Sequence, residues 1–264
     1  MPADNSISRR SLFGFGLFGV GAAATALGIF GRDAVSGSAS GVGLLDSAEN
    51  ATRTVQRLLL DRTALAPEFS EAEVAPTFRA NGSTDPTDAD YVALRDGGFK
   101  DWRLEVAGLV DKPLSLSLDD LKAMPQRTQI TRHDCVEGWS CVGKWTGVPL
   151  SHVLDLAGVK PGARYCVFRC LDTLEQTADG NGKYYESVDF VDARHPQTIL
   201  AHGLNGGPLP VANGAPLRLR VERQLGYKQA KYIKRIEVAA DFAGVEGGKG
   251  GFWEDRGYEW YAGI

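Results

Sequence analysis

One cysteine, Cys135, lies in a sequence setting that could carry chemistry. It stands in the segment TRHDCVEGWSCVGKWTGVPL, where polar residues precede it and a Gly-Trp turn follows it. We expect Arg132 and His133 to lower the pKa of this thiol and so to favour the thiolate, the form that binds a metal or attacks a carbon atom. Two other interpretations remain open: a disulfide with Cys141, or a buried and unreactive thiol.

The spacing of the four cysteines argues against several familiar sites. No pair forms C-x-x-C, so a zinc ribbon is not indicated, and without C-x-x-C-H neither is a covalently attached c-type haem. Cys166 and Cys170 share one face of a predicted strand, too far apart along it to bridge easily. We interpret both as small buried hydrophobic residues.

A second group of polar residues could bind an anion. It lies in the segment NGAPLRLRVERQLGYKQAK, near turns or on the polar side of an alternating strand, and comprises Asn213, Arg218, Lys228 and Lys231. Cationic side chains and backbone N–H groups at turns are what a phosphate-bearing ligand requires. The polar loop FRANGSTD could add Arg79 and Asn81. The alternative is a basic strand face exposed to solvent.

Hydrophobic periodicity predicts the elements that must position these groups. Strands are expected over residues 102–110, 163–170, 216–222 and 231–238, with a turn at 204–209. Short helices are expected between Ser117 and Pro125 and over residues 149–159, and a longer amphipathic helix over residues 46–62. The pattern is that of a strand-rich α+β protein.

Composition narrows the class of protein. The 264 residues are 43% hydrophobic and 23% charged, which is typical of a globular chain and argues against disorder. The net charge of -4 gives no basis for non-specific nucleic-acid binding, so no nucleic-acid partner is expected. A chain of this length can bury a large core without disulfide bonds.

The first forty residues have the features of an export signal. Arg9 and Arg10 directly precede an apolar, glycine-rich run over residues 12–31, which fits a twin-arginine signal. The run is also long enough to span a bilayer, so a retained membrane anchor is the alternative. We therefore expect the twin-arginine export machinery as a partner, and a location in the periplasm or on the outer face of a bacterial membrane.

Several motifs in one order resemble the sulfite oxidase family of molybdopterin enzymes. They are CVEGWS followed by W-x-G-V-P-L, FRANG upstream, and NGAPLRLRV and GYKQAK toward the C-terminus. Within this family, the chain resembles the branch of periplasmic methionine-sulfoxide reductases. The resemblance extends from about Phe78 to Val238. It implies the α+β sulfite oxidase fold, with mixed β-sheets and short helices, and one molybdenum–molybdopterin cofactor per chain.

The resemblance also implies a role for each matching residue. Cys135 would bind molybdenum through its thiolate, and soft sulfur ligands suit such a metal. Arg132 and Glu137 match positions that flank the metal ligand in the reductase branch, which makes them candidate catalytic residues. The matching cofactor-binding positions are Asn81, Cys135, Cys170, Asn213, Arg218, Gln229, Ala230 and Lys231. Cys170 stands where the family has a threonine, so this position lacks the hydroxyl.

The residue types that follow Cys135 distinguish between substrates. Sulfite oxidases carry arginines there, whereas this chain has Glu137, which would repel a sulfite dianion. We therefore expect a two-electron oxygen-atom transfer that reduces a small or peptidic sulfoxide or N-oxide. Sulfite dehydrogenase is the alternative, because His133, Arg169 and Arg223 could build a different anion site.

Two further alternatives belong to other classes of protein. One is a non-enzymatic pterin-binding protein with a degenerate site. The other is a hydrolase that uses Cys135 and His133, which is disfavoured because residues two apart rarely form a nucleophile and base pair. The chain has no haem motif, so an oxidoreductase would need an external electron-transfer protein, either a membrane haem- or quinone-linked protein or a soluble cytochrome.

The predicted organisation has four parts. They are a twin-arginine signal or anchor over residues 1–40, a helix and linker over 41–75, a molybdopterin-binding catalytic domain over 76–243, and an aromatic, glycine-rich tail over 244–264. The tail is interpreted as a segment that docks on the core or as a rim for substrate or an electron partner.

Overall fold

The computed structural model describes residues 54–55, 61–177 and 182–264. The chain divides into two units, Met1–Asp61 and Arg62–Ile264. The predicted signal and nearly all of the predicted helix over 46–62 lie outside the described residues, although Thr54 and Val55 are helical. Within the described ranges, no helix is both long and apolar enough to cross a membrane.

The first of two β-sheets in the second unit is mixed. Its strands are β1 (Arg103–Gly108), β2 (Leu114–Ser117), β5 (Tyr165–Thr173), β6 (Lys183–Asp189) and β10 (Ile233–Ala239). They lie in the order β2-β1-β10-β5-β6. The pair β1 and β10 is parallel, and the remaining pairs are antiparallel. This sheet confirms the predicted strands at 102–110, 163–170 and 231–238.

The second sheet carries the segment around Cys135. Its strands are β3 (Arg127–Cys135), β4 (Trp139–Pro149), β7 (Ile199–Leu204), β8 (Gly207–Pro208) and β9 (Arg218–Arg220). The order is β3-β4-β7-β8, and β9 pairs with β7. All of these pairs are antiparallel. The predicted turn at 204–209 is the hairpin between β7 and β8.

Short helices connect the strands. They are α1 (Ala89–Asp96), α2 (Leu118–Ala123), α3 (Leu150–Ala157) and α4 (Phe190–Ala193), with 3₁₀ turns at Glu71–Glu73, Val211–Asn213, Gly226–Lys228 and Glu254–Arg256. The start of α2 is fixed by a capping box in which Ser117 and Asp120 exchange side-chain and backbone hydrogen bonds. The end of α3 is fixed by the left-handed Gly158. Both helices lie within the ranges that the sequence predicts for them.

The main core packs the first sheet against helices and the ends of the second sheet. Along β1 the predicted alternation holds, because Leu104 and Val106 are fully buried while Arg103 and Glu105 are only partly so. A smaller cluster surrounds Trp145 in the second sheet.

The strand around Arg218 differs from one of its predicted interpretations. Leu217, Leu219 and Val221 enter the main core as expected. Arg218 and Arg220, on the other face, are also fully buried, so the face is not exposed to solvent. The tail over residues 244–264 belongs to the same unit, and its Phe252 is buried in the main core.

A close approach between two strands provides a test of this packing. A Cβ atom added at Gly147 in β4 would lie 2.2 Å from the carbonyl oxygen of Leu200 in β7. We expect Gly147→Ala to lower the free energy of unfolding by about 1–3 kcal/mol, because the strands must move apart. Denaturant unfolding measures the change.

Gly207→Ala is the matched control in the same sheet. The nearest atom to its added Cβ is the Leu204 carbonyl oxygen, at 3.9 Å. This variant should unfold close to wild type. Equal stability of the two variants would contradict the packing described here.

Candidate active site

A tight hairpin presents Cys135. Cys135 is the last residue of β3 and pairs with Trp139, the first residue of β4. The three connecting residues end in Gly138, which has a φ of 84°, and its N–H donates to the Cys135 carbonyl at 3.0 Å. A three-residue loop that ends in a left-handed glycine is a common hairpin connection. It fixes the Cys135 thiol at the end of the second sheet.

The thiol faces a cavity of about 160 Å³. Several predicted site residues from distant parts of the chain line it together, namely Asn81, Cys135, Glu137, Gln229 and Lys231. The structure therefore assembles a cavity around five of the positions that the sequence singled out.

The state of the Cys135 thiol differs from the expectation. Burial raises its pKa, while the backbone N–H groups of Val136 and Glu137 partly offset this effect. His133 cannot supply the expected positive charge, because burial and nearby Arg220 hold its pKa well below the usual range. A metal that binds Cys135 must therefore displace a proton from it, and the metal's own charge favours that step. Cys135 and Cys141 are both free, so they form no disulfide.

Arg132 lies on the opposite face of β3 from Cys135. Its side chain is 54% exposed and its Nε lies 2.9 Å from Asp134 Oδ1. Because side chains alternate along a strand, His133 and Cys135 point inward while Arg132 points outward. Arg132 does not line the cavity. Its position does not support the predicted catalytic role, and it corrects the idea that Arg132 lowers the pKa of Cys135.

Glu137 lies at the mouth of the cavity. It is exposed and accepts a hydrogen bond from Trp139 Nε1 at 3.0 Å. Arg132 pairs with Asp134 instead, so it does not neutralise the Glu137 carboxylate. The mouth therefore carries the Glu137 carboxylate next to Cys135, and the Arg79 guanidinium lies over the neighbouring Trp139 ring, 4.6 Å from its centroid.

A buried lysine defines another part of the cavity wall. Lys231 Nζ donates to the carbonyl oxygens of Asn81 at 2.6 Å and Ala212 at 3.1 Å, and also to that of Ser83. Burial, with a further contribution from Arg218, lowers the pKa of Lys231 to about 7. An anion bound here would favour the charged form of this lysine.

Several buried polar atoms near this lysine have no hydrogen-bond partner within the described residues. They are Asn81 Oδ1, Asn213 Nδ2, and Nε and Nη2 of Arg218. Buried polar groups are normally paired, so such a group of atoms indicates a missing polar ligand. These atoms, together with the cations and the Cys135 thiol, fit a cofactor with a phosphate, a polar ring system and a metal.

Arg218 is a buried cation among these groups. It is fully buried, and its Nη1 donates to the Asn213 carbonyl at 3.0 Å. Burial and nearby Arg220 lower its pKa to about 9. Ala230, between Gln229 and Lys231, is fully buried, and its carbonyl accepts from Leu219 N–H at 2.8 Å, which fixes the backbone of this segment.

The two predictions for Cys170 have different outcomes. Cys166 and Cys170 are free and buried, as expected for small hydrophobic residues. Cys170 lies in the main core and does not line the cavity, so its position does not support a cofactor contact through its side chain. Asp172, two residues further along β5, lines the cavity instead. Its Oδ1 is buried without a partner, and burial raises its pKa to about 7.

The sequence does not indicate Asp172 as a site residue, nor the buried network of Arg220, Glu222 and His133 behind the hairpin. Arg220 Nε donates to Glu222 Oε1 at 3.0 Å, and its Nη1 contacts His133 Nδ1 at 3.0 Å. This bond holds the imidazole of His133 two residues before Cys135. The available signal is the alternation of polar and apolar residues over 216–222, which places Arg220 on the same face of the strand as Arg218.

The alternative anion site is not assembled. Arg169 pairs with Glu246 at 2.7 Å and Arg223 with Asp192 at 3.2 Å. Neither arginine lines the cavity, so the two do not form a sulfite pocket there with His133.

Comparison with known proteins identifies the class. The family model described as the oxidoreductase molybdopterin-binding domain matches residues 92–243. The chain belongs to this family, which confirms the predicted enzyme class, the molybdopterin cofactor and, together with the mixed sheets, the fold class.

Individual relatives are reductase subunits. The chain is 39% identical over 209 residues to an Azospira oryzae chain provisionally named protein-methionine-sulfoxide reductase subunit YedZ1, covering 79% of this chain and 72% of the relative. It is 42% identical over 159 residues to the protein-methionine-sulfoxide reductase catalytic subunit MsrP of Xanthomonas campestris, covering 58% of this chain and 49% of the relative. The MsrP of Campylobacter jejuni is 32% identical over 183 residues, covering 66% and 61%. The chain thus spans about half to two thirds of the MsrP chains.

A solved structure is also similar. The sulfane dehydrogenase SoxCD from Paracoccus pantotrophus has 27% identity and a TM-score of 0.48, covering 54% of this chain and 39% of that one.

Cofactor content tests Lys231, which lines the cavity, and Arg218, which is buried near Lys231 without lining the cavity. We expect the double variant Arg218→Ala with Lys231→Ala to be isolated poor in molybdenum and pterin, because a charge-assisted hydrogen bond from Arg218 contributes about 1.5–3 kcal/mol and the Lys231 charge attracts the same anion. Metal analysis and pterin fluorescence, both per mole of chain, give the readout, and circular dichroism checks the fold.

The matched control removes the same charge outside the cavity. Arg132→Ala with Lys234→Ala should retain the wild-type cofactor content, since neither side chain lines the cavity or carries a buried unpaired atom. If both double variants hold as much cofactor as wild type, Arg218 and Lys231 do not bind it.

Proposed function

We propose that the chain is the catalytic part of a molybdenum-dependent reductase that removes the oxygen atom from a sulfoxide. The observation that carries the proposal is the Cys135 thiol in a cavity whose mouth bears the carboxylate of Glu137, which Arg132 does not pair with. The names of the relatives from Azospira, Xanthomonas and Campylobacter support it. The overall change is a sulfoxide plus two electrons and two protons giving a sulfide and water.

The chain's own residues would bind and orient the cofactor. When bound, the molybdenum–molybdopterin group supplies the two-electron redox chemistry. The Cys135 thiolate would be its protein ligand, and the side chains of Arg218 and Lys231 would hold its phosphate. The unpaired amide atoms of Asn81 and Asn213 would bind its polar ring atoms, and Gln229 would contact it from the cavity wall. Asp172 would hold a proton at Oδ1 inside the cavity.

Glu137 would select the substrate. An ionised carboxylate at the mouth raises the free energy of an approaching dianion, whereas a sulfoxide or N-oxide carries no net charge. Arg132 is paired elsewhere and would not cancel this effect. The charge argument therefore fits a small or peptidic sulfoxide or N-oxide, and the names of the relatives favour the sulfoxide.

The proposal extends to location and electron supply. We propose that Arg9 and Arg10 direct export by the twin-arginine route to the periplasm, with residues 1–40 as the signal and retention as a membrane anchor as the alternative. The electrons would come from a separate protein, either membrane haem- or quinone-linked or a soluble cytochrome.

Steady-state assays with redox dyes test the reaction. The purified holoenzyme should oxidise a reduced dye faster with methionine sulfoxide than it reduces an oxidised dye with sulfite. Cys135→Ala should remove at least about 99% of this activity while the protein stays folded, because the metal loses its protein ligand. Robust sulfite turnover without sulfoxide turnover would instead assign a sulfite dehydrogenase, and full activity of Cys135→Ala would refute the role of the thiol.

A second variant tests the charge at the mouth. Glu137→Gln keeps an oxygen that can accept from Trp139 but removes the negative charge. We expect the KM for sulfite to fall severalfold and the KM for methionine sulfoxide to change little. Because salt screens exposed charges, raising the ionic strength should lower the wild-type KM for sulfite but not that of the variant. A sulfite KM that is unchanged by both would show that Glu137 does not control substrate choice.

A further inference from the structure

The C-terminal segment, residues 244–264, places two aromatic side chains at the cavity. Trp253 and Tyr258 line the same cavity as Cys135 and Glu137. Trp253 is partly buried and Tyr258 is 41% exposed, so a molecule that enters from solvent can reach both rings. Neither ring belongs to the polar groups that fit the cofactor.

Buried ion pairs hold this segment in place. Lys228 Nζ lies 2.5 Å from both Glu186 Oε1 and Glu254 Oε1, and all three side chains are at most 1% exposed. Glu254 directly follows Trp253, and Phe252, which precedes Trp253, is buried in the main core. Trp253 is therefore fixed on both sides, and its ring is positioned before a substrate arrives.

Ring contacts extend this surface to Tyr258. The Tyr258 ring stacks on Trp253 with centroids 5.4 Å apart and an angle of 29°. It meets Tyr227 edge to face at 5.2 Å and 89°. Tyr227 also lines the cavity, and its hydroxyl donates to the Glu259 carbonyl at 2.6 Å. Tyr227, Trp253 and Tyr258 thus form one continuous surface, here called the aromatic wall.

The electrostatics of the aromatic wall suit a polarised neutral group. The face of an aromatic ring is negative, so it attracts positive charge and repels anions. Sulfur also makes favourable contacts with aromatic rings. In a sulfoxide the oxygen is negative, while the sulfur and its attached alkyl carbons carry partial positive charge. The aromatic wall and Glu137 therefore favour the same class of ligand and disfavour a dianion.

We propose that the aromatic wall binds the S-alkyl or S-aryl group of the substrate and determines which oxo compounds the site accepts. This inference rests on the proposed reduction of a sulfoxide. With the hydrocarbon group on the rings, the S=O oxygen faces the part of the cavity that holds Cys135. Substrates whose sulfur carries a larger apolar group cover more of the rings and bind more tightly.

The holoenzyme provides the test. Wild type, Tyr258→Ala and Trp253→Leu are compared with methyl phenyl sulfoxide and dimethyl sulfoxide as substrates. Methyl phenyl sulfone serves as an unreactive ligand in calorimetric titrations. Each variant should raise the KM for methyl phenyl sulfoxide and weaken sulfone binding by about two- to tenfold, the range of a sulfur–aromatic contact. The KM for dimethyl sulfoxide and kcat should change less.

Two control variants separate binding from folding. Tyr258→Phe keeps the ring and should bind the sulfone as wild type does. Leu156→Ala removes a side chain of similar exposure, 45%, that does not line the cavity, and it should change neither KM nor binding. Cofactor content and thermal unfolding identify any variant that has lost its fold.

The outcomes distinguish this inference from the proposed function. If wild type reduces no sulfoxide, the proposed function fails. If wild type reduces sulfoxides and folded, cofactor-loaded Tyr258→Ala and Trp253→Leu bind the sulfone as tightly as wild type, the aromatic wall does not bind the substrate, and the proposed function stands.

Discussion

A buried cation without a protein counter-charge constrains the rest of this structure. Arg218 and Arg220 are fully buried, with their guanidinium carbons 4.9 Å and 4.4 Å from the Trp145 ring centroid. Glu222 neutralises Arg220, whereas Arg218 donates to a backbone carbonyl. Burial of an uncompensated charge is costly. A bound phosphate would supply the missing negative charge, so cofactor binding would also stabilise the strand that carries both arginines.

Lys231 adds a pH dependence to this coupling. Its pKa falls from 10.5 to about 7 in the folded chain. Between these values the unfolded chain binds the proton more tightly, so this lysine destabilises the cofactor-free protein and the penalty shrinks as pH rises. A bound anion opposes the shift by favouring the charged form. The chain would therefore reach full stability only after loading, which is the order that export of a folded protein by the proposed twin-arginine route requires.

The sequence predicted what local patterns determine and missed what depends on tertiary packing. Hydrophobic periodicity located β1, α2 and α3, because this signal acts within a few residues. Resemblance of motifs singled out Asn81, Cys135 and Lys231 as site residues, and the structure places all three at one cavity. Alternation could not reveal that both faces of the strand holding Arg218 are covered, nor that Arg132 points away from the cavity while Asp172 lines it, since those facts depend on which elements pack on each side.

The cavity has two chemically different regions, one around Lys231 and one at its mouth. The region around Lys231 is buried and rich in unpaired polar atoms, which suits a ligand that stays bound. The mouth is aromatic and partly exposed, which suits a ligand that must enter and leave. The segment that supplies Trp253 and Tyr258 is attached through Lys228 and Glu254, inside the same unit that holds the proposed cofactor-binding residues. Because Lys228 immediately precedes the segment Gln229 to Lys231, the positions of the mouth and of this proposed cofactor-binding segment depend on the same stretch of backbone.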